Sequence, residues 1–168
     1  AAKMFNAPGE ECVAFTLNCT HATNMVLKGL LKPGDNVVTS CLEHNAIMRP
    51  LKKLEERGVT HTTAKVYPGD NDKTVDSFRK CITSKTALIV CTCASNVWGI
   101  KLPIERIAAL AKVYGIPMMV DAAQGAGLVE LDMEKYNIDY LCLAGHKGLY
   151  GPMGTGMLIA SSANRLNT

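Results

Sequence analysis

Short β-rich runs alternating with longer helical patterns are the feature that most limits what this chain can fold into. Apolar and β-branched runs fall at 12–17, 36–40, 60–65, 87–93, 117–121, 140–143 and 156–160. Between them, apolar residues at helical spacing predict helices over 22–31, 45–57, 74–82 and 103–114. The last is the best marked: Pro103 stands at the first helical position, Ile104, Ile107, Ala108 and Ala111 share a face, and Gly115 stops it. Lys32-Pro33-Gly34-Asp35 ends the first helix in the same manner. Parallel strands need a long crossover, usually helical. Seven strands separated in this way predict an α/β chain, a three-layer α/β/α arrangement around a mostly parallel sheet. No repeat, low-complexity tract or charge block interrupts the pattern, so residues 1–168 read as one domain.

Composition removes several classes of function. A chain of 168 residues can bury a core without metal or disulfide staples. Lys plus Arg is 18 against 15 Asp plus Glu, a formal charge of +3, with no concentrated basic stripe for nucleic acid or a membrane surface. Apolar runs such as 116–120 fall far short of the roughly 20 residues that cross a bilayer. The opening Ala1-Ala2-Lys3-Met4-Phe5 runs straight into Asn6-Ala7-Pro8-Gly9 without a secretory pattern, so a soluble, cytoplasmic chain is expected. The seven cysteines (Cys12, Cys19, Cys41, Cys81, Cys91, Cys93 and Cys142) are odd in number and mostly lie in apolar segments. They read as reduced, buried thiols rather than a disulfide framework. Cys91 and Cys93 share a strand face but lack a second pair at ligand spacing, so no metal is expected.

In open α/β sheets, ligands bind beyond the carboxyl ends of the strands. Five of those ends carry polar groups here: Asn18-Cys19-Thr20-His21, Glu43-His44-Asn45, Ser95-Asn96, Asp121-Ala122-Ala123-Gln124 and Gly145-His146-Lys147. Taken alone, Asp121 is more readily a helix cap, and Lys147 a solvated surface charge. Yet Gly145 and Gly148 flank Lys147 and let backbone approach a ligand. A strand-end position would also desolvate its amine and make it nucleophilic. Together, a strand-end lysine and a strand-end carboxylate suit pyridoxal phosphate (PLP). The lysine forms the Schiff base, and the carboxylate keeps the pyridine nitrogen protonated.

Asp121-Ala122-Ala123-Gln124, followed by Ala144-Gly145-His146-Lys147-Gly148-Leu149-Tyr150-Gly151-Pro152, resembles the fold type I PLP enzymes of the class V aminotransferase group. Within that group it most resembles the cysteine desulfurase and selenocysteine lyase branch, from about residue 5 to 159. The resemblance implies Lys147 as the Schiff-base lysine and the base at the substrate carbon. It also implies Asp121 as the partner of the pyridinium nitrogen, and Gln124 and Asn96 beside the phenolic oxygen, with Asn96 near the substrate carboxylate as well. His44 would stack on the ring and shuttle protons; alone, it reads as well as a helix-terminus or core residue. The implied phosphate site spans 18–24, at a helix N-terminus. Thr20 would contribute its hydroxyl, Cys19 its backbone N–H, and His146 its ring; Thr20 alone reads as a plain N-cap. Asn18, Cys19 and His21 stand where relatives usually carry Gly, Ala or Thr, and Glu. Ala144 replaces a common Ser or Thr, a lost hydroxyl worth about 1 kcal/mol of cofactor affinity.

The activity implied is removal of sulfur or selenium from L-cysteine or selenocysteine, leaving alanine, by a homodimer that passes sulfur to an acceptor protein. Family members begin with an extra N-terminal segment and continue into a smaller C-terminal domain. Those parts carry the arginine for the substrate carboxylate and the loop cysteine that accepts sulfur; none of the cysteines here matches it. The chain, ending in 164–168, is therefore expected to be the large cofactor domain, inactive in isolation. Alternatives are another class V enzyme (an aminotransferase, epimerase or lyase) or a non-catalytic fragment that only folds and binds cofactor. Dinucleotide binding is weaker: Gly151-Pro152-Met153-Gly154-Thr155-Gly156 has the wrong order and precedes a strand.

Overall fold

In the computed structural model, which describes residues 1–162 and 166, strands form on the apolar runs. They are β1 (Val13–Thr16), β2 (Asn36–Ser40), β3 (Thr60–Ala64), β4 (Thr86–Thr92), β5 (Met118–Asp121), β6 (Tyr140–Ala144) and β7 (Gly156–Ala160). The helices are α1 (Cys19–Leu30), α2 (Asn45–Glu55), α3 (Asn71–Cys81), α4 (Ile104–Val113) and α5 (Met133–Tyr136). The strands form a single seven-stranded sheet in the order β1-β7-β6-β5-β4-β2-β3. From β3 to β6 every pairing is parallel, and β7 runs antiparallel to both β6 and β1. The expected α/β class and mostly parallel sheet are what the chain adopts.

Both faces of the central strands are buried, which explains why these read as unbroken apolar runs. Successive residues point to opposite faces. Val37, Leu88, Val90, Met119, Tyr140 and Leu158 pack with Val26 and Leu27 of α1 and Ile47 and Leu51 of α2. Their neighbours Val38, Ile89, Cys91, Met118, Leu141 and Ile159 pack with Phe78 of α3 and Ile107 and Ala108 of α4. This alternation fixes which strand-end side chains reach the rim.

Helix starts differ from expectation more than strand positions do. Helix α1 begins at Cys19 because Asn18 caps it, its side chain accepting from the His21 N–H; the cap is not Thr20. Helix α3 begins at Asn71 because Asp70 accepts from the Lys73 N–H. Pro103 is the cap of α4 rather than its first residue. The four-residue α5 is too short to leave a periodic signal. All seven cysteines are free, five of them buried. Among the described residues, no helix is long and apolar enough to cross a membrane. Of the 164–168 ending, only Leu166 falls within the described residues.

Candidate active site at the carboxyl rim of the sheet

Cys19, Thr20, His44, Asn96, Asp121, Gln124, His146 and Lys147 all line one cleft of about 150 Å³. A larger hollow of about 890 Å³ lies at the amino ends of β5 and β6, beside Pro117 and Tyr140, and holds none of them. The cleft is the one that collects the strand-end chemistry.

The start of α1 forms one wall. Asn18 Oδ1 accepts the His21 N–H at 2.8 Å, the Asn18 carbonyl accepts the Ala22 N–H at 3.2 Å, and the Leu17 N–H reaches His21 Nδ1 at 3.4 Å. The N–H groups of Cys19 and Thr20, at the positive end of the helix dipole, have no acceptor among the described residues. Gly156, the first residue of β7, packs against this turn so closely that a Cβ there would stand 2.5 Å from the Asn18 carbonyl carbon.

Asp121 ends β5 with 2% of its surface exposed. Its Oδ1 accepts the Ala123 N–H at 2.9 Å and the Cys19 thiol at 3.3 Å, while Oδ2 has no donor among the described residues. The cap reading is thus half right, since Asp121 caps a tight turn but no helix follows. Burial first, and then the Asp121 charge, push the Cys19 thiol well above its ordinary value. The thiol therefore keeps its proton and donates it.

Lys147 follows β6 in a tightly wound loop. Gly145 N–H bonds Thr155 O at 2.9 Å, Tyr150 N–H bonds Lys147 O at 2.9 Å, and Gly151 N–H bonds Gly145 O at 2.8 Å. Against this loop lies the turn after Asp121. A Cβ on Gly127, whose φ is +82°, would sit 2.3 Å from the Gly148 carbonyl oxygen, and one on Gly148 would sit 2.3 Å from that of Ala126. The lysine loop and the aspartate turn therefore touch backbone to backbone, which holds the two groups in one register. Lys147 itself is exposed, so the desolvation anticipated from its position is not supplied by the described residues.

The two histidines differ. His146 is half-buried, and its Nδ1 is buried with no hydrogen-bond partner among the described residues. His44 caps α2: its Nδ1 accepts the Ala46 N–H at 3.0 Å, which leaves the ring proton on Nε2. Helix-terminus and site readings of His44 are thus compatible. Gln124 is half-buried and Asn96 exposed; neither side chain has a hydrogen-bond partner among the described residues.

Two participants carried no assigned role from sequence. Thr92, the last residue of β4, lines the cleft, and its N–H donates to Glu43 Oε1 at 2.8 Å. Glu43 was visible as a strand-end polar residue, but its burial depends on a contact 49 residues away. Burial pushes its carboxyl up to about 8, against partial relief from bonds to Ser40 and Thr92. The folded chain keeps a proton that an unfolded carboxyl, near 4.5, gives up. Its contribution to stability is therefore complete below about pH 4.5 and is lost as pH rises through about 8. The unfolding free energy read from urea titrations is expected to fall between pH 5 and 8, by at most about 1.4 kcal/mol per pH unit. Glu43→Gln should remove most of that slope, and an equal slope in the variant contradicts the assignment.

The rim of the parallel sheet thus brings together a lysine, a buried carboxylate and an open helix N-terminus. The aminotransferase class-V family model matches residues 1–167. The chain belongs to that family. A probable cysteine desulfurase of Methanothermobacter thermautotrophicus is 36% identical over 96% of this chain and 40% of its own length. The cysteine desulfurase IscS of Ehrlichia chaffeensis is 33% identical over 94% of this chain and 38% of its own length. Among solved structures, the Escherichia coli cysteine desulfurase CsdA matches at TM-score 0.86 and 30% identity, covering 95% of this chain and 41% of that one. A complex of the cystine C-S lyase C-DES with its product, cysteine persulfide, matches at TM-score 0.90 and 27% identity, covering 99% of this chain and 46% of that one. The chain spans about two-fifths of the length of the curated relatives it matches.

Proposed function

We propose that residues 1–168 are the PLP-binding large domain of a cysteine desulfurase-type enzyme, acting on L-cysteine or selenocysteine. The observation that carries this reading is the meeting of Lys147, Asp121 and the open N-terminus of α1 in one cleft. The residues present fit the cofactor. Two unpartnered N–H groups and the unpartnered Nδ1 of His146 suit a phosphate, and Asp121 Oδ2 is free to accept from a heterocyclic N–H. When bound, PLP supplies an electron sink that stabilises negative charge at the substrate carbon.

The chain's own residues supply the rest. Cys19 and Thr20 would hold the phosphate through their backbone N–H groups, with the Thr20 hydroxyl and His146 beside them. Asp121 holds a proton at the ring nitrogen, its Oδ1 already oriented by Ala123 and Cys19. Gln124 and Asn96 would lie beside the phenolic oxygen, and Asn96 beside the substrate carboxylate as well. Lys147 would hold the cofactor through Nζ, and once the substrate amine has displaced it, the freed Nζ would move the proton at the substrate carbon. His44 would cover the ring and relay protons through Nε2, its Nδ1 being committed to the cap. The names of the relatives support cysteine as substrate. The C-S lyase match favours carbon–sulfur cleavage by a lyase as the second reading. A cytoplasmic homodimer with a sulfur-acceptor protein completes the proposal. Because the chain spans two-fifths of its relatives, it is proposed to bind cofactor without turning substrate over.

Added PLP is expected to produce a visible absorption band, and borohydride reduction should fix the cofactor on Lys147, read by peptide mass. Lys147→Ala should abolish both signals. A band that survives this substitution, or a chain that never forms one, sinks the cofactor reading. Alanine released from added cysteine by this chain alone would sink the proposed division of labour.

A further inference from the structure

Strand β2 stops short of β4. Their last register pair is Thr39 with Val90, so Thr92 has no strand partner on that side. The chain turns away after Ser40 and returns a side chain in place of a strand. Glu43 Oε1 accepts the Thr92 N–H at 2.8 Å and the Ser40 hydroxyl at 2.5 Å, while the Leu42 N–H bonds Ser40 Oγ at 3.2 Å. On its other side, Thr92 is in register with Asp121, and its hydroxyl reaches the Asp121 carbonyl at 3.4 Å. Glu43, Thr92 and Asp121 thus form a row across three strand ends, and the residue after Glu43 is His44.

We propose that Glu43 is a positioning residue for the site: its carboxyl group stands in for the missing strand at the end of β4 and so holds Thr92 and His44 in register with Asp121. The second oxygen, Oε2, is buried with no hydrogen-bond partner among the described residues, a burden that simple packing does not require. The titratable groups acting on this carboxyl are Asp121 from β5 and Cys91 from β4; Asp121 adds to the effect of burial in keeping it protonated. With Oε1 accepting two donors, the retained proton sits on Oε2. The site is thereby spared a second negative charge beside Asp121 at neutral pH.

The proposal rests on the cofactor reading only for its last measurement. Amide hydrogen exchange in the cofactor-free chain reads the strut directly at Thr92, and at Ala46, whose N–H is held by His44. Glu43→Ala is expected to speed exchange at these two amides by about tenfold or more and to leave Val38 and Val90, inside the strands, unchanged. Glu43→Gln keeps an acceptor at Oε1 and is expected to stay within about threefold of wild type at both. If Glu43→Ala fails to fold, Glu43→Asp, one methylene short of Thr92, takes its place with the same expected exchange. With PLP, the weakened variant should bind about tenfold less tightly and Glu43→Gln near wild type. Unchanged exchange at Thr92 and Ala46, uniform acceleration through the whole sheet, or equal failure of Glu43→Gln each overturns the proposal. If wild type binds no PLP, the cofactor reading falls alone, and the exchange comparison still decides the role of Glu43.

Discussion

Gly127→Ala is expected to destabilise the chain by about 2–5 kcal/mol and to abolish cofactor attachment at Lys147 under conditions where the wild type is saturated. Two separate penalties meet at this position. The backbone is left-handed, at φ +82°, which costs a residue with a Cβ about 1–2 kcal/mol. The added carbon would also stand 2.3 Å from the Gly148 carbonyl oxygen, and backbone cannot yield as a flexible side chain can. Overpacking of that kind adds about 1–3 kcal/mol. Relief requires the lysine loop to move away from the turn after Asp121, which is the displacement that separates the two groups of the site. Gly154→Ala is the control: its φ is also positive, at +79°, but nothing lies within 4 Å of the new Cβ. It should cost only about 1–2 kcal/mol and leave PLP binding intact. Equal urea midpoints for the two variants would contradict the backbone contact.

Asp121→Ala and Asp121→Asn should separate what this carboxylate does for the fold from what it does for the cofactor. Alanine leaves the Ala123 N–H and the buried Cys19 thiol without their acceptor, an expected loss of about 1–3 kcal/mol. Asparagine retains an oxygen at Oδ1 and should stay within about 1 kcal/mol of wild type. Both variants lose the negative charge that pairs with a protonated ring nitrogen. PLP affinity is expected to fall by about tenfold to a hundredfold in each, the worth of one charge-assisted hydrogen bond. Denaturation midpoints and PLP titrations on the same samples test the split. Wild-type affinity in either variant would remove Asp121 from the cofactor's partners.

The sheet was legible because burial on both faces makes its strands continuous apolar runs, as in Leu88 to Cys91 and Met118 to Val120. Helix starts were less so. The first turn of α1, Cys19-Thr20-His21, lacks an apolar stripe, and a side-chain cap from Asn18 decides where it begins. Which residues line the cleft followed from residue type at strand ends, since topology brings those ends to one rim. What a side chain meets there is set by partners far along the chain. Cys19 bonds an aspartate 102 residues away, the carboxyl of half-buried Glu43 is held by the Thr92 N–H, and Lys147 stands exposed where a desolvated amine was expected. No local pattern encodes these contacts.

The insertion of β7 between β6 and β1 also sets an order of assembly. Val13 pairs with Ile159, and Gly156 presses on the Asn18 backbone where α1 begins. The N-terminal turn proposed to take the phosphate thus has its last supporting strand at the far end of the domain. During synthesis, α1 and the first parallel strands emerge and can pair while this support is still inside the ribosome. Pairings so distant in sequence form slowly. The turn at the start of α1 is therefore among the last parts to be completed.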